Sequence, residues 1–154
     1  MRISLICVGR LGPAPEAALA RAYAERASAA GRALGLAPVE IVEVEARKPG
    51  KAAEAEAILA KAEGARLIAC DERGKSFASR DFATRLAALR DDGLRQLAFA
   101  IGGADGLDPA VREAAADVLS FGPQTWPHAL ARVMLAEQVY RAVAILAGAP
   151  YHRD

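Results

Sequence analysis

The chain alternates short apolar runs of strand composition with longer stretches in which apolar residues recur every three or four positions. Residues 2–8 are an almost unbroken apolar run closed by the Gly- and Pro-containing stretch 9–15, and they read as a buried first strand followed by a turn. Residues 39–44 interleave Val and Ile with glutamates, which predicts a second strand less deeply buried than the first. Residues 67–71, 97–101 and 118–121 are three further strand-like runs, and each passes into a loop rich in Gly, Pro or charge rather than into a hairpin. Between the strands, Leu19, Tyr23, Ala27, Ala30 and Leu34 keep helical spacing up to a stop at Gly35. Residues 52–63 form an Ala-rich run of high helix propensity. Phe82, Leu86 and Leu89 share one helix face, with Ser76 or Ser79 as its cap and Asp91-Asp92-Gly93 as its close. Asp108-Pro109 pairs an N-cap with proline at the first helical position, predicting a short helix to about Ala116. A last helix covers 128–147 with Leu130, Val133, Met134, Tyr140, Val143, Ala144 and Ala147 as its stripe, and Gly148 and Pro150 end it before a short tail. This alternation predicts an α/β fold with a mostly parallel sheet and flanking helices, arranged as a single domain over residues 1–154.

Composition narrows the function classes. Apolar residues make up 53% of the chain, yet no apolar run approaches the ~20 residues of a membrane span. The apolar N-terminus is cut short by Gly9, Arg10, Gly12 and Pro13, which no signal peptide would carry, so a soluble cytoplasmic protein is expected. The net charge of +1 argues against holding nucleic acid by phosphate neutralisation alone, so any RNA contact must be local. Cys7 and Cys70 sit inside apolar runs and read as buried packing residues, and neither histidine stands at ligand spacing from them, so no metal is expected.

The candidate chemistry lies in the loops after the strands, since loops at the carboxyl ends of α/β strands are where small ligands settle. Residues 102–106 (GGADG) lack the G-x-G-x-x-G spacing and any following Lys-Ser/Thr pair, so they offer bare peptide groups rather than a phosphate cradle. Residues 121–128 (FGPQTWPH) combine apolar walls with backbone polar groups, although Trp126 by itself reads as a core anchor and His128 as a structural residue. Residues 71–75 (DERGK) form a third strand-to-loop junction. Arg132 and Arg141 stand nine residues apart on the last helix and so serve different surfaces.

The motifs IGGADG, LSFGPQTWPH, EQVYRA and the terminal PYHR, in this order, resemble the bacterial RlmH family, and the likeness extends over essentially the whole chain. That family comprises SPOUT-class enzymes that methylate N3 of a pseudouridine in large-subunit ribosomal RNA. The resemblance implies a C-terminal trefoil knot, a homodimer with the pocket near the subunit interface, and S-adenosylmethionine as methyl donor. It assigns cofactor contacts to Cys70, Gly102, Phe121, Gly122, Pro123, Gln124, Thr125 and Trp126. Cys70 stands where the family more often has leucine, and Gln124 where methionine is common. The matching tail makes Tyr151, His152 and Arg153 the catalytic candidates, with His152 as proton acceptor and Arg153 stabilising the developing imide anion. Arg132 and Arg141 become candidates for substrate binding or dimer contact, and the expected substrate is ribosomal RNA within an assembled particle. The competing expectation is a non-catalytic α/β dimer that uses the same pocket for an adenine-containing ligand.

Overall fold

The computed structural model describes residues 1–153. In chain order the elements are β1 (Arg2–Val8), α1 (Pro15–Gly31), a 3-10 turn (Arg32–Leu34), β2 (Val39–Val44), α2 (Lys51–Lys61), β3 (Arg66–Lys75), α3 (Ser79–Asp91), β4 (Gln96–Ile101), α4 (Pro109–Ala114), β5 (Asp117–Leu119) and α5 (His128–Leu146). The five strands form one sheet in the order β2-β1-β4-β3-β5. All four neighbouring pairs are parallel, with Leu5 facing Ile41 on one side and Phe99 on the other.

Strand side chains alternate between two apolar layers, as the period of two requires. Ile3, Leu5, Cys7, Leu97, Phe99 and Ile101 pack with α1, α3 and α5. Ile6, Val8, Leu67, Ala69, Ala98 and Ala100 pack with Ala55 and Ile58 of α2 and Val111 of α4. Both faces of the sheet are thus covered, which is why its strands read as continuous apolar runs. The edge strand β2 is the exception: only Val39 of its six residues is buried, in keeping with its interleaved glutamates.

Helix faces differ from the expected stripes. In α1 the buried residues are Ala17, Ala20, Ala24, Ala27 and Gly31, while Leu19 is 48% exposed. Small side chains let α1 lie close to α5 and its loop; a Cβ on Gly31 would stand 2.3 Å from the Leu36 carbonyl oxygen. In α5 the buried face is Arg132, Leu135, Ala136, Val139, Ala142, Val143 and Ala144, and Leu130 lies outside it, exposed. Neither expected serine caps α3: Ala78 is the N-cap, and the Ser79 hydroxyl instead donates to Gln138 Oε1 of α5 at 3.0 Å. The Asp108-Pro109 start of α4 holds, with the Asp108 carboxylate accepting from the Ala110 N–H at 2.9 Å.

Two strand ends are placed differently from the apolar runs. β3 continues beyond Asp71 to Lys75 through a register shift between Cys70 and Lys75, both of which lie opposite Leu119. This return requires a glycine, because a Cβ on Gly74 would stand 2.5 Å from the Val118 carbonyl oxygen. β5 ends at Leu119, and residues 120–121 already belong to the loop. No helix among the described residues is long and apolar enough to cross a membrane.

Candidate active site

A cleft of about 370 Å³ opens at the carboxyl ends of β3 and β4 and under the loop that follows β5. β4 delivers Gly102, where the backbone turns so tightly that a Cβ would stand 2.6 Å from the Gly106 carbonyl. The turn is closed by the Gly106 N–H, which donates to the Gly103 carbonyl at 3.1 Å, and Gly106 has a φ of 76°. Only a glycine at 102 allows this close approach of the Gly106–Leu107 backbone. On the opposite side, the Ser120 hydroxyl donates to the Gly122 carbonyl at 2.9 Å and accepts from the Gly122 N–H at 3.1 Å, fixing the start of the aromatic loop. Gly122 has a φ of 110°, a conformation that few other residues adopt.

Charges fasten the floor. Arg112 of α4 donates to Asp71 Oδ2 at 3.2 Å and to the Leu107 carbonyl at 2.8 Å, tying the end of β3 to the loop after β4. The Asp71 side chain is only 8% exposed and also accepts from the Arg73 N–H at 3.0 Å. The two thiols are chemically quiet. Burial pushes the Cys70 thiol far up, with smaller contributions from Cys7 and Asp71, and burial pushes Cys7 up to about 12. Among the described residues no group of three or more His, Cys, Asp or Glu is placed to hold a metal ion.

The C-terminal tail forms a second polar cluster on α5. Glu137 Oε1 accepts from Arg141 Nε at 3.0 Å, from a terminal Arg141 nitrogen at 2.5 Å and from the Tyr151 hydroxyl at 3.0 Å. Another guanidinium nitrogen of Arg141 lies 3.2 Å from His152 Nδ1. The Tyr151 ring stacks edge-on against Tyr140 with centroids 4.6 Å apart and lies under the Arg141 guanidinium. Burial, then hydrogen bonds with Tyr23 and Glu137, hold the Tyr151 hydroxyl far above its ordinary range, so it stays protonated. None of Tyr151, His152 or Arg153 lines the cleft of its own chain.

A family model described as "Predicted SPOUT methyltransferase" matches residues 1–152. Three relatives named "Ribosomal RNA large subunit methyltransferase H" align end to end. The protein of Phenylobacterium zucineum is 66% identical and that of Caulobacter sp. 67%, each over 100% of both chains. The protein of Dinoroseobacter shibae is 58% identical over 99% of both chains. This chain belongs to the RlmH family of SPOUT methyltransferases.

Two solved structures share the fold of this RlmH family member. One is a probable methyltransferase from Bordetella pertussis, with a TM-score of 0.53 and 19% identity, covering 92% of this chain and 96% of that one. The other is a probable methylase family protein from Haemophilus influenzae, with a TM-score of 0.55 and 15% identity, covering 99% of this chain and 70% of that one.

Most of the residues that the RlmH resemblance marks for the cofactor meet at the cleft: Cys70, Gly102, Phe121, Gly122, Gln124, Thr125 and Trp126 all line it. Pro123 does not line it and is exposed. Trp126 is no core anchor; it is 41% exposed and forms part of the wall. His128 also lines the cleft, and its Nδ1 is buried without a hydrogen-bond partner among the described residues.

Arg132 departs from the expected role in substrate binding. Its side chain is 1% exposed, and it donates to Glu43 Oε1 at 3.0 Å, to the Gly9 carbonyl at 2.8 Å and to the Val8 carbonyl. It straps α5 to the carboxyl ends of β1 and β2. Arg141 belongs to the tail cluster, so the two arginines do serve different surfaces. Sequence reasoning quoted Glu137 within EQVYRA and Asp71 at the third strand-to-loop junction without giving either a role, and it passed over Arg112. The four-residue spacing of Glu137 and Arg141 was the available signal for the first, because such pairs meet on a helix surface.

Proposed function

We propose that this protein transfers a methyl group from S-adenosylmethionine to N3 of a pseudouridine in the RNA of the large ribosomal subunit. The observation that carries the reading is the convergence of three strand-end loops on one cleft in a chain whose full-length relatives are large-subunit ribosomal RNA methyltransferases. The cleft suits a ligand that joins a nucleoside to an amino acid. Its volume lies in the range of small-molecule sites, Gly102, Gly103, Gly106 and Gly122 line it, and Phe121 and Trp126 supply apolar surface. The buried Nδ1 of His128 is a further polar group in want of a partner among the described residues.

When bound, S-adenosylmethionine supplies an electrophilic methyl group whose bonding pair returns to sulfur as the new N–C bond forms. Residues 102–106 and 121–126 would hold it through backbone and wall contacts. The tail would orient the RNA base: Arg153 faces the charge that develops when the imide nitrogen loses its proton. A homodimer accounts for the distance of the tail from its own cleft, since the tail of one copy can close over the cleft of another. Leu19 and Leu130, large apolar side chains left exposed on α1 and α5, are the surface such a dimer would cover. The trefoil knot, the cytoplasmic location and the preference for assembled ribosomal particles belong to the same reading. A chain with a net charge of +1 gains from the orientation that a large particle adds.

The test is transfer of labelled methyl from S-adenosylmethionine to ribosomes lacking this modification, in parallel with free ribosomal RNA. Label in the ribosomes is expected. Cofactor binding with no label on either RNA would instead fit the non-catalytic dimer.

A further inference from the structure

A second pocket, of about 390 Å³, shares Phe121 and Gly122 with the cleft, so one stretch of the loop after β5 borders both. Apart from these two, none of the residues that the RlmH motifs mark for the cofactor lines it. Its other walls come from the start of α3 and the residues just before it, with Ser76, Phe77 and Phe82, and from α5, with Met134 and Gln138.

Phe77 is held as a platform. The Arg85 guanidinium carbon stands 4.5 Å from the ring centroid, and Arg85 is itself anchored by a 2.8 Å bond to Asp117 Oδ2. An aromatic ring fixed in this way in a wall shared with Phe82 and Phe121 suits a flat heterocycle, as proteins that take single bases out of RNA use aromatic side chains to stack them.

The polar groups of the pocket are fixed in sense as well as in place. The Gln138 side-chain amide donates to Glu137 Oε2 at 2.8 Å, and because a carboxylate only accepts, the amide nitrogen must lie on that side. Gln138 Oε1 therefore faces Ser79, whose hydroxyl donates to it at 3.0 Å. With its one proton engaged there, the Ser79 oxygen is left as an acceptor in the wall of the pocket.

We propose that this pocket receives the target pseudouridine base, and that the Ser79 oxygen accepts from its N1–H and so distinguishes it from uridine. This deepens the methyl-transfer reading and rests on it. Chemistry on one base of a folded RNA requires that base to leave its stack and lie beside the cofactor, and a pocket that shares a wall with the cleft offers that place. Pseudouridine is joined to its ribose through carbon, so it carries two ring N–H groups, whereas the N1 of uridine is bonded to the sugar. N3 is taken up by the methyl group, which leaves N1–H as the donor for an acceptor in the wall. A site built to take such a hydrogen bond rejects the analogue that lacks it, because its own polar group is then left unpaired.

The first test is single-turnover methyl transfer to two sets of ribosomes, one carrying pseudouridine at the target and one carrying uridine there. Ser79→Ala should lower kcat/KM by about 10- to 100-fold with pseudouridine and much less with uridine, while Ser79→Thr, which keeps a hydroxyl, should preserve the wild-type ratio. S-adenosylmethionine binding, read by calorimetry, should be unchanged in both variants, since Ser79 does not line the cleft. A purely structural loss would lower both substrates alike. In the second test Ser76, exposed at the pocket, is replaced by p-benzoylphenylalanine in the full-length protein, which is irradiated on ribosomes. Crosslinks at or beside the methylated nucleotide are expected.

An equal loss on both sets of ribosomes, or crosslinks that join two copies of the chain and never reach RNA, overturns the proposal; the second result would give the pocket to the tail of a partner copy. If the wild type transfers no methyl group while the crosslinks still fall on large-subunit RNA, the methyl-transfer reading fails and the pocket remains an RNA-base site.

Discussion

Arg132 and Glu43, 89 residues apart in the chain, meet at 3.0 Å where α5 crosses the end of the sheet. The guanidinium is 1% exposed, and Val8 and Gly9 take its remaining donors through their carbonyls, with only Nε lacking a partner among the described residues. A buried cation is tolerated only when it is matched in this way, and removing one partner strands the other. Arg132→Ala is therefore expected to destabilise the protein by about 3–5 kcal/mol in urea denaturation. Glu43→Gln leaves the buried guanidinium without this carboxylate, so it should also destabilise measurably even though the amide keeps an oxygen to accept the bond. A neutral Arg132→Ala would refute the strap.

Gly102 is tested by adding one carbon. An alanine Cβ there would stand 2.6 Å from the Gly106 carbonyl and 2.8 Å from the Leu107 nitrogen, contacts that only a backbone shift can relieve. Gly102→Ala should cost about 1–3 kcal/mol in stability and at least ~10-fold in cofactor affinity by calorimetry. Gly9→Ala has open space around its Cβ, so any loss there comes only from its positive φ and should leave the cleft intact.

Trp126 is the sole tryptophan and lines the cleft while 41% exposed, so its emission reports on the cleft alone. Titration with S-adenosylmethionine should change its fluorescence saturably, with a blue shift as solvent is displaced. A spectrum indifferent to saturating cofactor, where calorimetry shows binding, would place the ligand elsewhere.

The Cys7 thiol should resist alkylation in the native state at pH 8 and react fully in denaturant, because burial keeps it protonated. The same burial sets a pH dependence. The folded-state value of Cys7 is raised from 9.0 to about 12, so the unfolded chain releases this proton first as pH rises. The stability Cys7 contributes is complete below pH 9 and is lost between 9 and 12, which a Cys7→Ala control should flatten in part.

What could be read before folding was whatever depends on period and on turn chemistry. The apolar runs located the strands, the interleaved glutamates marked β2 as less deeply buried than β1, and Asp108-Pro109 placed the start of α4. The candidate loops were legible because glycines and prolines interrupt apolar runs at strand ends. Helix faces were misjudged where residue size misleads. The fully buried positions of α1 are alanines and a glycine, while the larger Leu19 is exposed and Tyr23 reaches Tyr140 of α5. Arg132 was read as a surface cation because nothing local announces that Glu43 and two carbonyls wait for it. Glu137 stood in the EQVYRA motif without a role for a similar reason: its partner Tyr151 lies in a tail that folds back onto α5.

The central claim is tested most directly by mapping the labelled base after incubation with ribosomes lacking the modification. The account predicts one labelled nucleotide in large-subunit RNA, a pseudouridine carrying the methyl group on N3, with more label in ribosomes than in free RNA. Label on another atom or another class of RNA, or bound S-adenosylmethionine with no label at all, would contradict it.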